Sequence, residues 1–144
     1  MRVLFLDIDG VLNNSSTEER FEGYIGIDPA LVAIFNKLIQ ETNARVVLSS
    51  TWRFDKNWRE TMARHKIKCV FLGATPHLYV PGENRVERGE EIKKWLEDNS
   101  QYQITNYAIL DDDSDMLEGQ PLFKTSWKEG LTPEIAEKVK QHLC

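Results

Sequence analysis

The segment Val3-Leu4-Phe5-Leu6-Asp7-Ile8-Asp9-Gly10-Val11-Leu12-Asn13 constrains this chain more than any other. Val3 to Leu6 form an unbroken apolar run, which reads as a strand buried on both faces of a sheet. Two carboxylates follow, separated by one apolar residue. Side chains alternate along a strand, so the spacing lets Asp7 and Asp9 face one way and Ile8 the other. Gly10 lets the backbone turn sharply and close in on a ligand. Desolvated carboxylates repel each other and are costly unless compensated. A bound cation would compensate them, as would a catalytic task. The structural alternative is a pair of solvated acids that open a turn.

With 144 residues, the chain is expected to form a single domain, residues 1–144, large enough for a proper core. A net charge of −5 argues against a surface that coats nucleic acid, though not against a local basic patch. No apolar run approaches the roughly 20 residues needed to span a membrane, and Asp7 and Asp9 interrupt the N-terminal run too early for a signal peptide. The cysteines, Cys69 and Cys144, form no metal or redox motif, so a reducing cytoplasm is the expected compartment.

The segments alternate between strand and helix. Residues 13–27 carry Asn, Ser and Gly together with Phe21, Tyr24, Ile25 and Ile27, and read as a long loop or short hairpin. Asp28-Pro29 opens a helix as N-cap and first helical residue; Leu31, Ile34, Phe35, Leu38 and Ile39 give it one apolar face, and Thr42-Asn43 ends it. Arg45 to Thr51 reads as a second buried strand ending in hydroxyls. A strand–helix–strand unit of this length implies a parallel, right-handed crossover. The two strands then end on one edge, where open parallel sheets bind ligands, and Ser49 stands beside Asp7. Trp52 and Arg53 follow at once: Arg53 suits a phosphate clamp, and Trp52 suits either stacking on a ligand or packing. The pattern predicts a helix over 55–65, with Trp58 and Met62 on one face and His65 near its end. A third strand is expected over Lys68 to Leu72, closed by Gly73, then a long loop over 73–87 holding His77. A helix starts at Arg88, with Ile92, Trp95 and Leu96 as its apolar face. Tyr107 to Asp115 reads as a fourth strand running into acids. That density of hard oxygen ligands suits Mg²⁺. A short strand over 121–125 and a helix capped by Thr132-Pro133 complete the chain.

Asp7-Ile8-Asp9-Gly10-Val11-Leu12 resembles the first motif, Asp-x-Asp-Gly-x-Leu, of the haloacid dehalogenase (HAD) superfamily of phosphohydrolases. The remaining motifs of that family follow in order. An apolar strand ending in Ser or Thr is matched at Ser49, with Ser50 the register alternative. A cation near the start of the helix before the last catalytic strand is matched at Arg88, with Lys93 as runner-up. An apolar strand ending in Asp-Asp is matched at Asp111-Asp112, with Asp115 as an outlying acid.

The resemblance implies a Rossmann-like three-layer α/β sandwich with a mostly parallel sheet of about five strands. The family often inserts cap domains, and the intervals here leave no room for one. It also implies Mg²⁺-dependent phosphomonoester hydrolysis, with Asp7 as nucleophile and Asp9 as general acid and base. The metal would be held by Asp7, the backbone carbonyl of Asp9, and Asp111 or Asp112, and phosphate by Ser49 and Arg88, beside the clamp that the place of Arg53 suggests. The Leu-Ser-Ser-Thr-Trp-Arg segment and the capless layout are similar to the phosphatase domains found with polynucleotide end repair. The expected partner is therefore a phosphorylated substrate, a small molecule or a nucleic-acid end. A phosphotransferase and a catalytically silent phosphate- or metal-binding module are the alternatives. Substrate specificity is expected in residues 13–27 and 73–87.

Overall fold

The structure, a computed structural model, describes residues 1–144. Its main sheet has five strands: β1 (Arg2–Leu6), β4 (Arg45–Leu48), β5 (Phe71–Ala74), β6 (Asn106–Asp111) and β7 (Leu122–Lys124), in the order β5-β4-β1-β6-β7. All neighbours pair in parallel. Helices α1 (Pro29–Thr42), α2 (Trp58–Arg64) and α4 (Pro133–Leu143) supply side chains to one core, which includes Leu4, Leu6, Phe35, Leu48, Met62 and Leu110. Helix α3 (Arg88–Asp98) supplies Ile92 and Trp95 to a second core with Val3, Phe5, Val47 and Ile109. The alternate residues of β1 thus divide between the two faces, and the result is the expected three-layer sandwich.

The strand order sets the position of the site. From β1 the chain steps to β4 and β5 on one side, then crosses to β6 and β7 on the other. The reversal falls between β1 and β6, and the crevice outside the carboxyl ends at such a point is where open α/β sheets bind ligands. Between β1 and α1 lies only a two-stranded hairpin, β2 (Arg20–Phe21) and β3 (Tyr24–Ile25), and no cap domain is formed. No helix is long and apolar enough to cross a membrane.

Helix starts follow the sequence. Asp28 accepts a hydrogen bond from Ala30 N at 3.0 Å, and Thr132 from Ile135 N at 3.2 Å. Several boundaries differ from the sequence pattern. The β4 ladder stops at Leu48, because Ser50 leaves it to cap a 3₁₀ turn over Thr51–Phe54, its Oγ accepting from Trp52 N. The helix expected over 55–65 is shortened to α2 at its N-terminal side, where Asp55 Oδ1 takes Asn57 N instead. The third strand starts at Phe71 rather than Lys68. Lys68 N bonds the Asn36 side chain, and pairing with β4 begins only at the Val70 carbonyl. The fourth strand stops at Asp111, where Asp113 N turns back onto the Asp111 carboxylate.

A buried ion pair joins the 3₁₀ turn to α3. Arg53 Nη2 lies 3.1 Å from Glu91 Oε1, and both side chains are under one-tenth exposed. The other Glu91 oxygen accepts Leu78 N at 3.0 Å, which fastens the 73–87 loop to the same helix. Removing one partner of such a pair strands the other charge out of water. Glu91→Ala is therefore expected to lower the unfolding free energy in urea by about 3 kcal/mol. The double variant Arg53→Ala/Glu91→Ala should lose clearly less than the two single losses added together. Strict additivity would show that the pair does not hold the turn.

Candidate active site

The Asp7 N–H still follows the sheet ladder, donating to the Leu110 carbonyl at 3.0 Å. The chain then leaves the strand: Val11 N and Leu12 N both return to the Ile8 carbonyl. Asp7 and Asp9 are therefore separated by a turn and lie in different surroundings. Asp7 is buried and meets Asp111 and Asp112 from the end of β6. Carboxylate oxygens of these three residues lie within 4.8 Å of one another. Gly10 makes this approach possible. Its φ is +82°, and a Cβ there would stand 2.1 Å from Asp112 Oδ2.

Arg88, the first residue of α3, reaches back into this group. Its Nη1 donates to Asp7 Oδ1 at 3.0 Å and to the Ser49 carbonyl, and lies 3.5 Å from Asp111 Oδ2. Asp115 holds the start of the helix in place, its Oδ2 accepting Arg88 N at 3.1 Å. Burial, more than any other influence, raises the Asp7 carboxyl well above its ordinary value. Asp111 pushes it further up and Arg88 pulls it down. Burial likewise takes Asp111 from 3.8 to about 6, against the opposing pull of the Asp113 N–H and Arg88. Burial works to lower the Arg88 guanidinium, but the surrounding carboxylates outweigh it and hold the cation firmly charged.

Asp9 is held separately. Asn13 Nδ2 donates to its Oδ1 at 2.9 Å, and Trp52 Nε1 lies 3.3 Å from both of its oxygens. Asn13 is fully buried, and its own Oδ1 accepts Gly10 N, which fixes the turn. Phe21 of the hairpin stacks on Trp52 at 5.4 Å between centroids. Thr125 secures the turn from β7's end, its Oγ1 donating to the Gly10 carbonyl at 2.6 Å.

The residues singled out in the sequence thus fall into distinct settings. Asp7, Asp111, Asp112 and Arg88 converge. Ser49 is buried beside them with an unpartnered Oγ, whereas the Ser50 hydroxyl is engaged in its capping bond. Lys93 is exposed on α3, and Asp115 serves Arg88 and Arg85 rather than the carboxylate group. Arg53 is adjacent, but its Nη1 and Nη2 are bonded to the Ser50 carbonyl and Glu91, leaving only Nε unpartnered. His65 stays at the end of α2, and His77 is half-exposed, 3.7 Å from Glu91. Asn13, Thr125 and Glu91 were not distinguishable as site residues in the sequence. The one signal for Asn13 was its place directly after the Gly10 turn.

The donor set fits a divalent cation. It consists of hard carboxylate oxygens, and one of them, Asp111 Oδ2, is buried without a hydrogen-bond partner. Two grooves open on the flanks. One, of about 220 Å³, is basic and lined by Arg53, His77, Arg85 and Arg88 among others. The second, of about 430 Å³, includes Asp9 and several aromatic side chains.

Comparison with known proteins gives one family. The family model described as "HAD domain in Swiss Army Knife RNA repair proteins" matches residues 3–136. No curated protein matches the chain.

The crowding of carboxylates has a measurable sign. A carboxyl whose value is raised by folding favours the folded state at low pH. That contribution is lost as pH rises from the unfolded value near 4 to the folded value near 6. At pH 7 without metal, Asp111→Asn should therefore be more stable than the parent, by on the order of 2 kcal/mol. Below pH 4 the difference should vanish, and the Mg²⁺-induced rise in Tm should be lost in the variant. A variant less stable than the parent at pH 7, or one that keeps the Mg²⁺ shift, would refute this account.

Proposed function

The chain belongs to the family of HAD domains found in Swiss Army Knife RNA repair proteins, and from that premise we propose that it is a Mg²⁺-dependent phosphomonoesterase acting on a phosphorylated RNA end. One observation carries this reading. Every buried side-chain polar atom without a hydrogen-bond partner belongs to Ser49, Arg53, Thr75, Asp111 or Asp115, at or beside the carboxyl edge of the sheet. Such groups are costly unless a ligand satisfies them, and here they surround a cation and a carboxylate cluster. Among them, the Ser49 hydroxyl suits a phosphoryl oxygen and Asp111 suits a metal.

In this proposal Asp7 is the nucleophile. Its carboxylate oxygen forms a bond to phosphorus as the bond from phosphorus to the leaving oxygen breaks, giving an aspartyl-phosphate. Asp9 gives its proton to that leaving oxygen, then takes one from the water that attacks phosphorus and frees Asp7. The separate settings of the two acids support separate roles: Asp7 lies among carboxylates under Arg88, and Asp9 between Asn13 and Trp52. Arg88 and the Ser49 hydroxyl bind the phosphoryl oxygens as charge develops. Asp7, Asp111 and Asp112 would hold Mg²⁺, which offsets repulsion between nucleophile and phosphate when bound. Arg53, spent on Glu91 and Ser50, supports the loop that carries Ser49, and offers substrate at most its Nε.

We also take residues 1–144 as one domain, because residues from Val3 to Leu143 contribute to its cores. The free thiols of Cys69 and Cys144 suit a reducing cytoplasm.

The test is phosphate release from 3′- and 5′-phosphorylated oligoribonucleotides and from an aryl phosphate, with and without Mg²⁺. Asp7→Asn should lose at least about a thousandfold in kcat/KM on every substrate. Asp9→Asn should lose on the order of a hundredfold or more on the oligonucleotide but much less on the aryl phosphate, whose phenolate leaves without a proton. Undiminished turnover by Asp7→Asn, or no release by folded, Mg²⁺-loaded protein, would overturn the reading.

A further inference from the structure

The larger of the two grooves lies beside Asp9. Its walls come from two sides: Phe21, Glu22, Tyr24 and Ile25 from the hairpin, and Thr51, Trp52, Asp55, Trp58 and Thr61 from the 3₁₀ turn, the residue that ends it and α2. At about 430 Å³ it falls within the range of roughly 300–1,000 Å³ common for small-molecule sites. Phe21, Tyr24, Trp52 and Trp58 give it an aromatic share, and Tyr24 is 79 % exposed. No lysine, arginine or histidine lines it, and its charged groups besides Asp9 are Glu22 and Asp55.

We propose that this groove binds the nucleoside attached to the scissile phosphate, with the base stacked on its aromatic walls. The assignment rests on the phosphatase reading and deepens it. The group that protonates the leaving oxygen must touch that oxygen. Whatever the oxygen carries must therefore lie on the Asp9 side of the phosphate, and the groove is a concavity lined by Asp9. The charge of the lining selects the kind of leaving group. Two carboxylates and no basic side chain in the lining disfavour the dianionic phosphoryl group there, so that group stays at Arg88. Glu22 and Asp55 accept hydrogen bonds from sugar hydroxyls and from base amino groups. The aromatic rings offer base stacking, which tolerates any base because every base has a π-face.

The same wall touches the chemistry. Trp52 lines the groove, stacks on Phe21 of the hairpin and donates to the Asp9 carboxylate. A base in the groove lies against both the hairpin and the 3₁₀ turn, beside the acid that acts on its own sugar oxygen. A small base-free phosphate ester reaches Arg88 and Asp7 but leaves the exposed Tyr24 ring without a partner.

The experiment uses the full chain with Mg²⁺ and compares kcat/KM on oligoribonucleotides whose phosphorylated terminal residue is intact or abasic. Nucleoside monophosphates and glycerol phosphate are run alongside. Loss of the terminal base should cost about tenfold or more, the fold-change that stacking of about 1.4 kcal/mol gives. In Tyr24→Ala the ratio of intact to abasic turnover should fall several-fold. Trp127→Ala, at an exposed aromatic outside the groove, should leave that ratio as it is. Nucleoside monophosphates distinguish a free nucleotide from a strand end: turnover equal to the oligonucleotide's assigns recognition to the nucleoside alone.

Equal kcat/KM on intact and abasic ends, or a ratio unmoved in Tyr24→Ala, would overturn the proposal while leaving the phosphatase reading intact. Absence of release from all substrates, glycerol phosphate included, would overturn the phosphatase reading instead. In that case, quenching of tryptophan fluorescence in Asp7→Asn by adenosine monophosphate, but not by ribose phosphate, would still support a nucleoside site. Equal responses to the two would remove it.

Discussion

Two buried carboxylates, Asp7 and Asp111, with the half-buried Asp112 in reach of both, are the constraint on which the remaining structure depends. Burial raises both Asp7 and Asp111; the Asp111 charge pushes Asp7 further up, and the Asp112 charge does the same to Asp111. What offsets this is a single guanidinium, held at the start of α3 by Asp115. Asp115 accepts the Arg88 N–H, and its carbonyl takes the next, from Gly89. Gly89 itself lies so close to the 116–120 segment that a Cβ would stand 2.5 Å from Leu117 N. Helix and β6–β7 connection are locked together there, and the lock aims Arg88 across the sheet edge at Asp7.

Asp9 shows the complementary arrangement. It is the neighbour of Asp7 in sequence but not in environment, because the chain turns at Ile8 and Asn13 closes that turn through the Gly10 N–H. Its contacts run outward, to Trp52 and through Trp52 to the hairpin. One side of the crevice is thus built of arginines and carboxylates, the other of aromatics with Asp9, Glu22 and Asp55. A phosphate ester has the same polarity: a dianionic head and, for a nucleotide, a flat and neutral tail. The family match supports a phosphatase-type enzyme of RNA repair, and in the function proposed for it this division would separate the two ends of the substrate.

Where the sequence reading and the structure part, long-range contacts are responsible. Periodicity located α1 and α4 almost to the residue, since their caps and apolar faces are local properties. It extended β4 to Thr51 because hydroxyl residues continue a strand pattern, and only the Trp52 N–H on Ser50 shows where the ladder stops. It started the third strand at Lys68, where Asn36, a residue of a different helix, takes the backbone N–H. Arg53 had the right type and place for a phosphate clamp, yet its partner Glu91 lies 38 residues away and reads as one more acid on a charged helix.

The sequence by itself determined the layers, the sheet edge and which acids lie at it. These follow from short apolar runs, helix caps and the Asp-x-Asp-Gly spacing, all encoded within a few residues. The tertiary structure alone decided the surroundings of those acids. It placed Ser49 rather than Ser50 with a free hydroxyl beside Arg88, set Asp7 against Asp111 and Asp112, and enclosed Asp9 between Asn13 and Trp52. It also joined the 13–27 hairpin and α2 into one aromatic groove. Protonation, desolvation and groove shape depend on distances between segments remote in the chain, and such distances exist only after the sheet has closed its crossovers.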